Sequence, residues 1–349
     1  MVLTPFFLPF NSYLFKIKEM KRSKVEALIL FSGGLDSMLA VKVLAEQGIK
    51  IEIINFYTMF FGPDQARQSA KELGLPLQEI DMSEDFLALL RHPRHGFGAG
   101  LNPCIDCHAL MLKKAGEIMR AEKFDLVATG EVLGERPMSQ NKQALAIVEK
   151  DSGLAGYLLR PLSAKLLEPT LAEQQGLVDR NKLLDISGRR REKQIVLAKQ
   201  YGIKKYPSPG GGCALTQEGF AGRLKELMKY KPDFGVDDAR LVGVGRHFWL
   251  TLRQAQGILP ERSEAELKAV IQIVLGRDQE ENEFLKSQTK TDDVFIIPIN
   301  FPGPEALIRG QNISEKSIER AKDLIVEFAP KAKELDKSEL TFSIKSSKN

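Results

Sequence analysis

The chain has three thiols, and none sits where a merely structural cysteine usually does. NPCIDCH sets Cys104 and Cys107 two residues apart in a glycine-rich loop just ahead of an amphipathic run, and Cys213 lies far along the chain in PGGGCALT. Inert cysteines are normally buried among apolar neighbours in strands and helices. Two thiols at this spacing can meet one metal centre, and a helix starting beside them favours their ionised form. Three ligands, Cys104, Cys107 and Cys213, leave one coordination position open. His108 is the candidate fourth ligand if the metal is zinc. An odd, low cysteine count without a recognisable secretory leader argues against a disulfide framework and points to the reducing cytoplasm.

A second group of residues has the chemistry of phosphate binding. FSGGLDSMLA, Phe31 to Ala40, follows the strand-like run VEALIL. Consecutive glycines let the backbone turn tightly and approach a charged oxygen, and the helix that follows aims its free amides at the same point. Ser32, Gly33, Gly34, Leu35, Asp36 and Ser37 are therefore the expected nucleotide contacts. The serines add hydroxyl donors, and Asp36 is placed to hold a Mg2+ ion shared with the phosphates. The spacing and terminal Lys-Ser/Thr pair of the ATPase P-loop are missing.

Both groups need a framework, and the pattern supplies one. EALILF, KIEIINF, PLQEIDM, FDLVATG and GYLLRPL are short, apolar and bounded by Gly, Pro or charge, as strands are. DSMLAVKVLAEQG, PDQARQSAKELG and CHALMLKKAGEIMRAEK carry apolar residues at helical spacing. Alternation of this kind predicts an α/β fold, a parallel sheet with helices on both faces, over residues 25–206. Ligands bind such sheets beyond the carboxyl ends of the strands, where FSGGLDS falls. Residues 207–232 read as a Gly-rich Cys loop and linker helix. Residues 233–345 read as a smaller α+β domain, in which LVGVGRHFWL is strand-like. There, ERSEAELKAVIQIVLGRDQEENEFLKSQ and SEKSIERAKDLIVEFAPKAKEL flank an extended DDVFIIPIN. The final SIKSSKN is expected to fray. Residues 1–24 read as an added N-terminal extension, either an early start with translation beginning at Met20 or a docking arm for a partner.

Composition excludes several classes. Hydrophobic content of 43% and charged content of 28% are those of an ordinary globular chain, and no apolar run approaches the roughly 18 residues that span a bilayer. Net charge is only +4, but it is unevenly spread. Arg160 to Lys205 holds eleven Lys or Arg against five Asp or Glu, and the block with Arg189, Arg190, Arg191 and Lys193 has the charge to track phosphates. Arg91, His92, Arg94 and His95 form a smaller basic cluster before the cysteine loop, expected to touch phosphate.

The string SGGLDS resembles the pyrophosphate loop (PP-loop) of the ATP pyrophosphatase superfamily, whose fold is adenine nucleotide alpha hydrolase-like. The resemblance implies ATP binding, transfer of AMP to a carbonyl oxygen of the substrate, and release of pyrophosphate. That superfamily includes amide-forming synthetases, lysidine formation in tRNA and tRNA thiolation. ATGEVLGERPMSQ, Ala128 to Gln140, resembles a segment of the 4-thiouridine synthase family that lines the adenylation site. Gly130, Gly134, Ser139 and Gln140 carry over as ATP contacts, while Arg136 and Pro137 depart from the commonest residues. The basic groups of RPLSAK, Arg160 to Lys165, are then implied to meet the substrate or the α-phosphate.

The cysteines resemble those of iron–sulfur-dependent tRNA thiolation enzymes, in which three thiolates hold a [4Fe–4S] cluster that carries the sulfide. NPC with a distant cysteine also resembles the persulfide-using 2-thiouridylases, with Cys104 and Cys213 as the working pair. Taken together, these resemblances imply an ATP-dependent tRNA sulfurtransferase with Asp36, Cys104 and Cys213 as its catalytic residues. Its partners would be tRNA and a sulfur donor, sulfide or a persulfide carrier, with no membrane. The C-terminal LGRDQEENEFLKSQTKTDDVFIIPINFPGPEALIRG faintly resembles the NFACT-R type of RNA-associated module. Two rival readings remain: a PP-loop synthetase acting on a small molecule with structural zinc, and a non-catalytic nucleotide- or RNA-binding protein.

Overall fold

A computed structural model describes residues 24–208, 213–251 and 270–346. The expected N-terminal extension, the PGGG before Cys213 and the segment ERSEAELKA lie outside the described residues. The chain divides into two compact units.

Of the described residues, the first unit comprises 24–56, 63–81 and 104–208. Its strands are β1 (Glu26–Leu30), β2 (Lys50–Tyr57), β3 (Leu77–Asp81), β4 (Leu126–Thr129) and β5 (Leu158–Leu159), in the spatial order β3-β2-β1-β4-β5. Pairing from β2 through β1 and β4 to β5 is parallel. All four residues of β4 and the middle three of β1 are buried, as strands covered on both faces must be. The main helices are α1 (Leu35–Ala45), α2 (Asp64–Leu73), α4 (Cys104–Glu122), α5 (Lys142–Ser152) and α7 (Glu192–Gln200); α3 (Ser83–Arg91) falls in the second unit, and α6 is the single turn Leu171–Gln174. α1 lacks an amphipathic face because it is core on nearly all sides, burying Leu35, Met38, Leu39, Val41, Val43 and Leu44.

From β1 the chain crosses first to β2 and later returns to β4 on the other flank. The reversal opens a crevice at the carboxyl ends of β1 and β4. The loops SGG and GEVLG leave the sheet at those two ends.

Of the described residues, the second unit comprises 57–62, 82–103, 213–251 and 270–346. It contains α8 (Glu218–Tyr230), α9 (Val236–Leu241), β6 (Arg246–Thr251), β7 (Val270–Leu275), α10 (Gln279–Ser287), β8 (Val294–Pro298), β9 (Ala306–Arg309), α11 (Glu315–Glu327) and β10 (Phe342–Ser346). The five strands form a sheet in the order β10-β8-β9-β7-β6, with antiparallel pairing throughout. Ala321, Leu324 and Ile325 of α11 pack on Ile271, Ile273, Ile296 and Ile308 of the sheet.

Two expectations need correction here. SIKSSKN does not fray as a whole: Ser343 to Ser346 pair with β8, held by Phe342, whose ring packs edge-on against Phe301 at 5.5 Å. VIQIVL, expected in a flank of the extended stretch, is a strand; Ile271, Ile273, Val274 and Leu275 are fully buried, and the β-branched run suits a sheet interior.

Candidate active site

The turn after β1 is built so that only its sequence fits. Gly33 has φ +77°, and a Cβ there would lie 2.4 Å from the Gln65 carbonyl oxygen. α2 holds the loop from outside: Ser69 Oγ donates to the Gly33 carbonyl (2.7 Å) and Gln65 Nε2 to the Ser32 carbonyl (3.3 Å). From inside, Ser37 Oγ donates to the Gly34 carbonyl (2.8 Å), and the Gly34 N–H donates to Ser32 Oγ (3.3 Å). Leu35 is fully buried, so its side chain serves the core and does not meet a ligand. Gly130, at the end of β4, lets that strand approach α1; a Cβ there would stand 2.4 Å from the Ser37 nitrogen and 2.6 Å from the Asp36 carbonyl carbon. The two motifs read separately in the sequence are thus in backbone contact.

Asp36 lies in the first turn of α1 with Oδ1 buried and without a hydrogen-bond partner. Its Oδ2 faces Arg191 Nη2 at 3.7 Å. Burial pushes the Asp36 carboxyl up from the usual range, and Arg191 opposes that shift. Gln194, on α7 and wholly buried, stands near Asp36 without completing a hydrogen bond, and both its amide atoms are unpartnered. Arg191 Nε is likewise buried and unpartnered. Glu135 is pushed up too, by burial first and then by the charge of Asp36. An unpartnered buried carboxylate oxygen in this position suits a divalent cation, so Asp36 fits the expected Mg2+ ligand.

The loop after β4 closes through the Gly134 N–H to the Gln140 carbonyl (2.7 Å), with Gly134 at φ +78°. Ser139 and Gln140 are buried in it, and Gln140 Oε1 has no partner.

Behind this loop lies a network that sequence reasoning missed. Glu131 accepts from Arg160 Nε (2.9 Å) and Thr129 Oγ1 (3.2 Å), and pairs with His108 Nδ1 (2.8 Å). Arg160 also reaches Glu149 (2.9 Å) and the Leu145 carbonyl (3.2 Å). Burial alone would raise the Glu131 carboxyl, but Arg160 and His108 outweigh it and hold the pKa at about 2. Arg160 is 3% exposed, so the expectation that it meets substrate or phosphate is overturned: its guanidinium is committed to carboxylates. Glu131 was readable as the acid of ATGEVLG, yet nothing local marks its partners.

Cys104 and Cys107 occupy the first turn of α4, not the loop before it. The helix begins directly after Pro103, which sets the two thiols one turn apart, and His108 ties that turn to Glu131. Cys213, in the second unit, accepts from Thr216 Oγ1 at its carbonyl (2.7 Å). Within that unit the Leu101 N–H donates to the Leu215 carbonyl (3.2 Å), so the loop leading to Pro103 is stitched to the segment that carries Cys213. Among the described residues, no group of three His, Cys, Asp or Glu side chains is gathered as a metal-ligand set. Of the basic block, Arg189, Arg190 and Lys193 are exposed while Arg191 turns to Asp36. Arg91, expected near phosphate, instead donates to the Phe234 carbonyl and lies over that ring.

Residues 22–165 match the family described as thiamine biosynthesis protein (ThiI), and residues 265–349 match the NFACT protein RNA binding domain. The first part of the chain is thus similar to ThiI-type domains and its C-terminal part to the NFACT type. Among curated proteins, a tRNA-specific 2-thiouridylase MnmA of Caldicellulosiruptor saccharolyticus is 29% identical over 171 residues, 42% of this chain and 43% of the relative. A probable tRNA sulfurtransferase of Finegoldia magna is 26% identical over 148 residues, 41% of this chain and 37% of the relative. A solved 4-thiouridine synthetase–RNA complex with bound ATP covers 60% of this chain and 51% of its own, at 20% identity and a TM-score of 0.37. The chain spans about two fifths of the length of the curated relatives it matches. Among the described residues, no helix is long and apolar enough to cross a membrane.

Proposed function

We propose that the ThiI-type domain adenylates a tRNA uridine and that the chain's cysteines deliver the sulfur that replaces its oxygen. The observation that carries the reading is the group of unsatisfied polar side chains at the glycine turn, Asp36, Arg191 and Gln194, which a Mg2+-bound nucleoside triphosphate would complete, the cation at Asp36 Oδ1 and phosphate oxygens at Arg191 Nε and Gln194 Nε2. A uridine carbonyl is a poor electrophile because its oxygen would leave as oxide. Transfer of AMP to that oxygen makes it a good leaving group. Bound Mg2+, held by Asp36, would supply charge neutralisation at the phosphates. Arg191 offers a fixed positive charge for the departing pyrophosphate, and the amides at the start of α1 add oriented donors.

Sulfide, or the outer sulfur of a cysteine persulfide, then attacks the activated carbon and AMP leaves; in the persulfide case the thiol of the second cysteine of the Cys104 and Cys213 pair attacks the S–S bond, so that a disulfide forms and C=S is left on the base. The base must be unpaired or flipped to reach such a crevice. The NFACT-type domain and the exposed Arg189, Arg190 and Lys193 are the surfaces proposed to hold the RNA backbone. The similarity to proteins named tRNA sulfurtransferase and 2-thiouridylase supports this reading.

Mass spectrometry of tRNA nucleosides from a deletion strain tests it: one thiolated nucleoside should disappear and return with the intact gene. Unchanged thiolated nucleosides would refute it. Cysteine variants then separate the sulfur routes. Cys104→Ser and Cys213→Ser abolish thiolation by either route, whereas Cys107→Ser abolishes it only if the three thiols hold a [4Fe–4S] cluster. Anaerobically purified protein that is brown supports the cluster; colourless active protein supports a persulfide on cysteine.

A further inference from the structure

In the second unit, a cavity of about 420 Å³ opens beside β6 and is lined by Glu226, Tyr230, Trp249, Leu250 and Arg320 among others. β6 lies at one edge of the described sheet. The volume falls in the range of small-ligand pockets, roughly 300–1,000 Å³. Its aromatic wall is prearranged: the Tyr230 and Trp249 rings stack with centroids 5.3 Å apart and planes inclined by 28°. Trp249 Nε1 is buried and has no hydrogen-bond partner. An indole N–H withdrawn from water and left unpaired is a donor awaiting an acceptor.

The surrounding charge favours a polyanion. Lys229 Nζ stands 4.8 Å from the Tyr230 ring centroid, and Arg320 lies exposed on the cavity wall. Along Glu218 to Lys231, Lys225 and Lys229 add positive charge, while Lys231 is paired with Asp238 (2.7 Å) and Arg223 donates to the Val242 carbonyl (2.8 Å). Stacked rings, a free N–H, one carboxylate and flanking cations are what a single-stranded nucleotide requires: a flat apolar face, hydrogen bonds at the base edge and charge for its phosphate.

We infer that this cavity receives one unpaired base of a single-stranded RNA segment. Tyr230 and Trp249 supply the aromatic platform, Trp249 Nε1 donates to a base carbonyl or ring nitrogen, Glu226 accepts from an exocyclic amine, and Arg320 and Lys229 meet the backbone. The inference rests on the proposal that the chain binds RNA and names where the second unit does so.

Trp249 is the sole tryptophan of the chain, so its fluorescence reports on this cavity alone. The full-length protein is titrated with a fluorescein-labelled single-stranded RNA dodecamer, reading anisotropy for total binding, and with the unlabelled dodecamer, reading tryptophan emission for occupancy. A duplex of the same length serves as comparison. Single strands should quench Trp249 and the duplex should not. Tyr230→Ala and Arg320→Ala should each weaken single-strand binding roughly tenfold, with thermal midpoints close to the parent. If the variants unfold, quenching in the parent protein still decides the question. Anisotropy binding without quenching, and unaffected by the two variants, would overturn the cavity while leaving RNA binding intact. No anisotropy change with any RNA would overturn both.

Discussion

Gly130→Ala tests whether the contact between the two motifs governs nucleotide binding. The added methyl would meet Ser37 N at 2.4 Å and Asp36 C at 2.6 Å, where ordinary contact begins near 3.4 Å, so the first turn of α1 or the end of β4 must move by about 1 Å. Both neighbours are backbone, and no side chain can rotate away. Overpacking of this kind costs roughly 1–3 kcal/mol, and a 1 Å misplacement of a reacting group costs on the order of a hundredfold in rate. Thermal unfolding should show a lowered midpoint, and calorimetric titration should show ATP·Mg binding weakened at least tenfold. Gly48→Ala is the control: Gly48 has φ +75° but nothing within 4 Å of the built Cβ. It should lose about 1 kcal/mol through backbone strain and keep its ATP affinity. A Gly130→Ala protein with parental midpoint and ATP affinity would refute the reasoning, because it would mean that the two loops are not rigidly coupled.

Three further outcomes follow from the charges. Glu131→Gln strips Arg160 of its buried carboxylate and should cost about 3 kcal/mol in urea unfolding at pH 7. Since the Glu131 pKa is held at about 2 against an ordinary 4.5, the parent's advantage is complete above pH 4.5 and should vanish as pH falls toward 2; a pH-independent difference would contradict the ion pair. His247 is neutral in the fold, with Nε2 donating to the Val244 carbonyl (2.8 Å) and Nδ1 accepting from Gln272 (3.0 Å), and burial lowers its pKa from 6.5 to about 4. The unfolded chain binds that proton more readily, so stability should fall by about 2 kcal/mol between pH 6.5 and 4, and His247→Gln should flatten that part of the profile. Arg191→Ala should leave the thermal midpoint within a few degrees and weaken ATP binding about tenfold by isothermal titration; undiminished affinity would remove Arg191 from the site.

Much of this was legible locally and little of it at a distance. The five strands of the first unit are short apolar runs bounded by breakers, and buried parallel strands leave that pattern. β9 and β10 escaped because ALIR has only four residues and because SIKSSKN is short and polar and so expected to fray, whereas its pairing with β8 depends on contacts distant in sequence. Within the site, SGGLDS was readable because a phosphate turn is one continuous stretch. Arg191 was read only as one positive charge among eleven, since its pairing with Asp36 depends on how α7 packs on α1. Arg160 was assigned to phosphate for the same reason in reverse: a sequence shows the charge of a guanidinium, and only packing shows that carboxylates have already claimed it.

The two charge clusters of the first unit differ in what they leave unsatisfied, and that difference separates framework from site. Behind β4, Glu131 has Thr129, Arg160 and His108, and Arg160 has Glu149 and the Leu145 carbonyl besides. A buried network saturated in this way rigidifies its surroundings and has nothing left to offer a ligand. Before the glycine turn, Asp36 Oδ1, Arg191 Nε and both amide atoms of Gln194 are buried and unpaired, each at a cost of roughly 1–3 kcal/mol. A fold retains such groups where a bound partner completes them. The saturated cluster also joins the first turn of α4, which carries Cys104 and Cys107, to the end of β4, and β4 touches the glycine turn through Gly130. Glu131 therefore links thiols and nucleotide turn through one rigid strand end, which predicts that Glu131→Gln disturbs ATP affinity as well as stability, whereas an equally destabilising change remote from β4 would lower stability alone.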